Sequence, residues 1–442
     1  MKRKLLVTTV AIAVAVAAAV GVRANQPDAE GGYEVWMVDQ SDTTPDGSGT
    51  LYVYDGASLN GRATAKAVPE VIDLGGLARD LTLQTGSPGR RPHMMFFNAA
   101  GTHAILSYVT TGHVLFIDGA TRLPVGCVDV GLQSHAAFPA ADGSFVLVAN
   151  QNGKLLQRIN TDYDTNTYTL DNAAELNLAA GTTPSGALRQ DPSLRPDNAP
   201  ICLGISADSR YGFITLRGGG LFVVDCAATP MQIVAEYDKA TIHPTGCVAV
   251  QVGDKMYIVS GTGSDTLAQT HADLYVLPMS GFSPTPAATP NTPAPGWVYS
   301  EDGSAVDAHG AVPTKHGKYL WLADRFANKV TVVDTATDRV VNQFGLVVPG
   351  LSGDPAPDLL DISPSGNRIF ATLRGPRPLT GNNPGFNNAV GSTPGLGVFQ
   401  VTQGGRSGAF VGIARISHTA DGSGNVDGIE RADPHAIAVR RK

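Results

Sequence analysis

Charge is scarce in this 442-residue chain: Asp, Glu, Lys and Arg together make up 16% of it. Among its four cysteines (Cys127, Cys202, Cys226, Cys247) there is no C-x-x-C pair and no Cys/His finger spacing, which removes support for a structural zinc site. No G-x-S-x-G elbow occurs, and the GGG at 218–220 opens a strand rather than a helix, so a phosphate-cradling loop is not supported. The loop DGSGNVDG (421–428) lacks the glycine placement and closing acid of an EF-hand, and reads as a Gly/Asp turn. Basic runs are missing too. Setting aside Lys2, Arg3, Lys4 and Arg23 leaves 28 basic against 39 acidic residues, a net charge near −11. The one remaining basic cluster is Arg440-Arg441-Lys442, and nucleic acid is excluded as a partner.

The start of the chain is not part of the fold. Lys2-Arg3-Lys4 precedes an uncharged, mostly apolar run from Leu5 to Val22, and Val22-Arg23-Ala24 fits a small-residue cleavage site. That layout predicts a secretory signal peptide over residues 1–24 and a periplasmic or secreted protein of residues 25–442. If the segment stayed uncleaved it would anchor the protein in the membrane. No cysteine lies near the cleavage site, which argues against a lipid anchor. In an oxidising compartment the four cysteines allow two disulfides, whose pairing spacing does not determine.

What the chain does have is glycine (51), proline (29) and a repeat. A turn residue followed by a β-rich run recurs as GTHAILSY (101–108), GSFVLVAN (143–150), SRYGFITL (209–216), DKMYIVSG (254–261), GKYLWLAD (317–324) and GNRIFATL (366–373). Each is followed by a second run, such as HVLFIDGAT (113–121) or KVTVVDTAT (329–337), and preceded by a shorter apolar one. Helical periodicity is absent throughout, so these are strands. Six four-stranded units cannot cover their own faces and must stack radially, which makes an all-β propeller. A seventh unit is split: DPHAIAVRRK (433–442) supplies its inner strand, and 33–40, 50–58 and 67–75 supply the other three. The ring of seven blades closes through backbone pairing of the two ends. Three insertions depart from the minimal blade, at 161–199, 283–296 and 375–395; the last has the length of a lid.

The Asp-x-Ala-Thr/Ser turn after the third strand, DGAT at 118, DTAT at 334 and DGAS at 55, resembles that of the YVTN-type seven-bladed propellers of bacterial exported proteins. The resemblance spans nearly the whole mature chain. That group includes the propeller of nitrous oxide reductase, the heavy subunit of methylamine dehydrogenase and the lactonase-like muconate cyclases. It implies a fold and leaves the activity open.

Counting back eight residues from each aligned turn residue gives His93, His135, Ile201, Gly246, His309 and Asp358, and the split blade adds His435. Four of the ten histidines thus share one column of seven positions, at the start of the strand that lines the channel. Four imidazoles and a carboxylate converging on one mouth suit copper, zinc, iron or nickel. With no cysteine or methionine in the column, a soft thiolate site is not expected. The likeness to nitrous oxide reductase implies copper first. Its reaction is not carried over, because this chain lacks a cupredoxin domain and has too few hub histidines for a four-copper cluster.

A second column, at the end of the second strand, reads Arg217, Arg325 and Arg374, twice in the context Thr-Leu-Arg-Gly. It falls on the same face and suits a small anion beside the metal. Arginine at a strand end also pairs with an inter-blade aspartate such as Asp324. Cys202 and Cys247 follow the two open column positions, on strands whose separation argues against an easy disulfide.

Three readings remain at this point. The first is a redox or Lewis-acid enzyme with ligands His93, His135, His309 and His435, Asp358 as ligand or base, and the arginines as clamps; a redox role would need a partner protein. The second is a metal-free lactonase or cycloisomerase with His and Asp as acid and base. The third is a non-catalytic binding scaffold.

Overall fold

The computed structural model describes residues 32–77, 85–179, 197–261, 270–283, 289–303, 305–379 and 388–442. The expected leader, 1–24, lies outside the described residues, as do parts of all three insertions, including 380–387 of the lid-length loop. No helix among the described residues is long and apolar enough to cross a membrane.

The strands form seven antiparallel sheets, one per blade. Blade one is Pro92–Phe97, His103–Tyr108, His113–Asp118 and Pro124–Asp129, and the other blades repeat this order outward from the axis. In blade two, Thr167–Leu170 pairs with Leu155–Asp162 as the fourth strand, and Leu176–Asn177 adds a short fifth. The beginning of the polar insertion is therefore part of the sheet.

Burial explains the repeated second-strand sequence. The runs HAILSY, FVLVAN, YGFITL, YLWLAD and RIFATL are buried at every position, because both faces of a middle strand are covered by neighbouring blades. A strand covered on both sides needs a continuous apolar run rather than alternation. Outer strands such as Arg339–Gly345 meet solvent and show a mixed pattern. The Asp-x-Ala-Thr turn has an equally local cause. Asp118 accepts hydrogen bonds from the Ala120 and Thr121 amides, and Asp334 from those of Ala336 and Thr337. Each closes the third strand with a carboxylate-held turn.

Ring closure is as the sequence predicts. Pro434–Arg441 lies innermost in the sheet of Tyr33–Asp39, Thr50–Asp55 and Glu70–Asp73, with Val35 opposite Val439 and Trp36 opposite Ala438. Each inner strand contacts the next all the way round, and the closing strand touches those of blades six and one. Side chains reinforce the seam. The Asp433 amide donates to Asp39 Oδ1 at 2.8 Å, and Gln40 Nε2 donates to Asp433 Oδ2 at 2.9 Å. His418, on the approach to the closing strand, sets Nδ1 2.7 Å from Asp39 Oδ2 and Nε2 2.7 Å from the Tyr52 hydroxyl.

Two outcomes follow from this seam. Deleting residues 434–442 unpairs the buried strand Tyr33–Asp39, and the cooperative thermal transition followed by circular dichroism should be lost; an unchanged midpoint would contradict the closure. The His418 imidazole is raised above its ordinary value: burial pulls it down, but Asp39 and Glu430 outweigh that. A histidine raised in the folded state stabilises fully below its unfolded pKa of about 6.5 and loses that contribution as pH rises through the folded value. The stability gap between the wild type and His418→Ala in urea titrations should therefore narrow above about pH 6.5.

Candidate metal centre at the channel mouth

Every inner strand carries the same irregularity near its start. Pro92 pairs with Tyr108 and Met95 with Leu106, so His93 and Met94 together face a single residue; the same shift recurs at Pro200/Leu203, Gly246/Ala249, Ala308/Ala311 and Pro357/Leu360. A bulge of this kind re-aims side chains at the rim of a sheet. Hydroxyls from the second strands lock it across blades. Ser107 Oγ donates to the His135 carbonyl, Thr215 Oγ1 to that of Cys247, and Thr372 Oγ1 to that of His435, at 3.1, 3.0 and 2.8 Å. Sequence reasoning overlooked these hydroxyls; the repeated Thr-Leu-Arg-Gly that contains Thr215 and Thr372 was the available signal.

This register corrects one member of the column. The position equivalent to His93 and His435 in blade four is Cys247, because Gly246 pairs with the last residue of the second strand, as Pro92, Pro200 and Pro357 do. The hairpin there turns directly from Val252 to Lys255, one residue shorter on each arm than in blades one, three and six. A cysteine therefore does stand in the ring, contrary to the expectation that excluded sulfur. Burial, and after it the neighbouring Cys202, push the Cys247 thiol well above its ordinary value, and both are free thiols.

The four histidines come together. The His93 ring stacks on His435 with centroids 3.8 Å apart and meets His135 edge-on at 4.5 Å, while His309 lies 6.0 Å from His435. Two tautomers are fixed by their partners. Gln40 Nε2 is spent on Asp433, so its Oε1, 3.0 Å from His93 Nδ1, accepts a proton from that nitrogen. His435 Nδ1, 2.8 Å from the His93 carbonyl, must likewise carry a proton. Both rings keep Nε2 as the nitrogen with a lone pair. Burial holds His93 and His135 well below the ordinary histidine value, helped by each other's neighbours His435 and Arg217 respectively. Burial brings His435 down to about 3 against the pull of Asp358. Three of the four imidazoles are neutral at any physiological pH.

His309 is the exception. Burial and Arg325 push it down, but Asp358, 2.8 Å from its Nε2, and Cys247 outweigh them and raise it to about 9. Asp358 itself is fully buried and acts as the hub of an ion network. It accepts from Arg325 Nη1 at 3.2 Å and from Arg374 Nη1, and lies 3.7 Å from His435 Nε2. Burial alone would raise its pKa; His309, His435, Arg374 and Arg325 together hold it well below the carboxylate range. A carboxylate so held keeps its charge and fixes where these cations sit.

The arginines divide. Arg374 is fully buried, joined to Asp433 through Nε (2.5 Å) and Nη2 (3.0 Å) and to Asp358 through Nη1, so it braces the hub instead of facing a ligand. Arg325 Nε pairs with Asp307 at 2.5 Å, not with Asp324, and its Nη2 has no hydrogen-bond partner. Arg217 donates from Nη2 to Gln151 at 2.7 Å, and its Nε is unpaired. Arg217 and Arg325 line a mouth cavity of about 240 Å³ together with His93, His135, His309 and His435.

Two groups among the described residues have donor atoms close enough to hold one ion: His309, Asp358 and His435, and a rim group of His243, His271 and Asp273. In the second, His243 Nδ1 pairs with Asp273 at 2.8 Å and His271 Nε2 is bonded to the Pro244 carbonyl at 2.6 Å. His243 therefore stays on blade four and does not reach the channel ring.

No protein-family profile matches the chain, and no curated protein matches it. Among solved structures, it is similar to the Pseudomonas aeruginosa periplasmic gluconolactonase PpgL, at 15% identity and a TM-score of 0.54, over 92% of this chain and 99% of that one. It is also similar to a Bacteroides fragilis protein provisionally assigned as a 6-phosphogluconolactonase, at 13% identity and a TM-score of 0.52, over 92% and 98%. At such identities the likeness shows the fold alone.

Asp358→Asn should bring the His309 imidazole below its ordinary value of about 6.5, seen by NMR titration of the ring protons. It should also cost about 3–5 kcal/mol of stability, since two buried guanidinium groups lose their shared partner. A His309 that still titrates near 9 would contradict the pairing.

Proposed function

We propose that this protein is an exported propeller whose channel mouth binds a transition-metal ion, copper first, beside a pocket for a small anion. The observation that supports it is the state of the ring. His135 and His435 both pack against His93, all three buried and neutral, and two Nδ1–H groups already bonded to Gln40 and a backbone carbonyl leave Nε2 lone pairs for a metal. His93, His135 and His435 would hold the ion once their Nε2 atoms turn toward one point, since the channel group whose donor atoms already lie within reach of one ion is His309, Asp358 and His435. His309 would join them only on losing its proton, with Asp358 behind it. Imidazole donors suit copper, zinc, iron and nickel, and affinity for divalent ions peaks at copper. The resemblance to propellers with hub histidines points the same way.

A copper ion held there would supply Lewis-acid or one-electron chemistry. The chain's own residues do the rest. The unpaired Arg325 Nη2 and Arg217 Nε would receive an anionic group, and the enclosed cavity would exclude bulk water from it. A redox role would also require a partner protein able to reach the mouth, and the signal segment would deliver the protein to the periplasm or outside the cell.

One observation favours the metal-free reading as a second account. His309 is an imidazolium at neutral pH and lines the cavity, so it can donate a proton to an anion held by Arg325. Lactone turnover insensitive to chelator would favour it.

The metal reading is tested by loading purified protein with Cu(II), desalting it and counting retained copper. Wild type should keep copper through nitrogen ligands visible by electron paramagnetic resonance. His93→Ala combined with His435→Ala should lower retention at least tenfold without unfolding the propeller. Equal retention by that variant would sink the proposal.

A further inference from the structure

Beside the imidazoles, the inner strands of three different blades carry three sulfur atoms. Cys202 Sγ lies 3.5 Å from Met94 Sδ, and both residues line the mouth cavity. Cys247, on the neighbouring inner strand, has the Cys202 and His309 side chains near its thiol. All three sulfur residues are at most 2% exposed. Inner strands far apart in sequence converge here because bulges aim the second residue and its neighbour at the axis. A single hydroxyl, Thr215 Oγ1, sits between the Cys202 and Cys247 carbonyls, 3.1 and 3.0 Å away, and shares its one proton between them.

We infer that Cys202 and Cys247 form a soft-metal site for a monovalent copper ion, with the Met94 thioether as a third donor. Thiolate and thioether sulfur select Cu(I), whereas the imidazole ring above suits the divalent ion. Donors of one ion with metal–sulfur bonds near 2.3 Å stand about 3.5–4 Å apart, and the Met94–Cys202 separation falls in that range. The balance is simple: two thiols bind one Cu⁺ and release two protons, leaving a dithiolate–copper unit of charge −1. Arg325, whose Nη2 has no hydrogen-bond partner, lines the same cavity as Met94 and Cys202 and offers that charge a cation. This deepens the reading of the mouth as a metal centre and rests on it only for His309, which stands between the two donor sets.

The test is an anaerobic titration of the full mature protein, reduced beforehand, with Cu(I) in the presence of a chromogenic Cu(I) chelator. Thiolate-to-copper absorption in the ultraviolet is read alongside. Wild type should take one Cu(I) from the chelator with growth of that band. Cys202→Ser combined with Cys247→Ser, near-isosteric and checked for folding by circular dichroism, should lose the band and weaken Cu(I) binding at least 100-fold, yet keep Cu(II) at the histidines. His93→Ala combined with His435→Ala should keep the band while losing Cu(II). An unchanged serine variant, a wild type with no band, or a Cys202–Cys247 disulfide that resists reduction would overturn the inference. Failure of the Cu(II) arm alone would count against the imidazole centre and leave the sulfur site standing.

Discussion

One buried carboxylate organises the channel mouth. Asp358 is shared by Arg325, Arg374 and His309, which come from the second strands of blades five and six and the inner strand of blade five. An isolated carboxylate at that depth would be strongly penalised; three hydrogen-bonded cations make it tolerable. In return it fixes where each cation sits. Arg374 is then placed to take Asp433, Asp433 to take Gln40, and Gln40 to take the Nδ1 proton of His93. Through this chain of contacts the hub sets the tautomer of an imidazole two blades away, across the seam where the two ends of the chain meet. Ring closure and site chemistry therefore share their atoms.

The same arrangement separates the histidines into two kinds. His309 borrows negative charge from Asp358 and keeps its proton, whereas His93, His135 and His435 are denied one by burial and by the positive groups around them. Pairs of like residues pushed apart in pKa are a usual mark of functional sites. Here the division gives a set of neutral donors beside one acid, with arginine N–H groups unpaired at the cavity wall. Cys247 stands at the register of the histidines and Cys202 one residue along, so nitrogen and sulfur donors share one channel mouth.

Much of this was legible in the sequence. The middle strands are apolar from end to end because blades cover both faces, so the repeat stands out, and the closing strand shares its Pro-His start with blade one. The histidine column followed from simple counting, since most hairpins have equal length. Counting failed at blade four, where the hairpin is one residue shorter on each arm and Cys247 takes the place assigned to Gly246. Nor could spacing reveal the partners of Arg374 and His93. Asp433 and Gln40 are almost four hundred residues apart in the chain and meet only because the ring closes. The free orbit of an arginine at a strand end likewise looks the same in sequence whether it braces a carboxylate, as Arg374 does, or faces a cavity, as Arg217 does.

The central claim is that the imidazole ring is a metal site. Diffraction from copper-soaked crystals at the copper absorption edge addresses it directly. The account predicts an anomalous peak at the mouth within about 2.0–2.1 Å of the Nε2 atoms of His93 and His435. A mouth without a peak, with copper seated only at surface histidines such as His243, would contradict it.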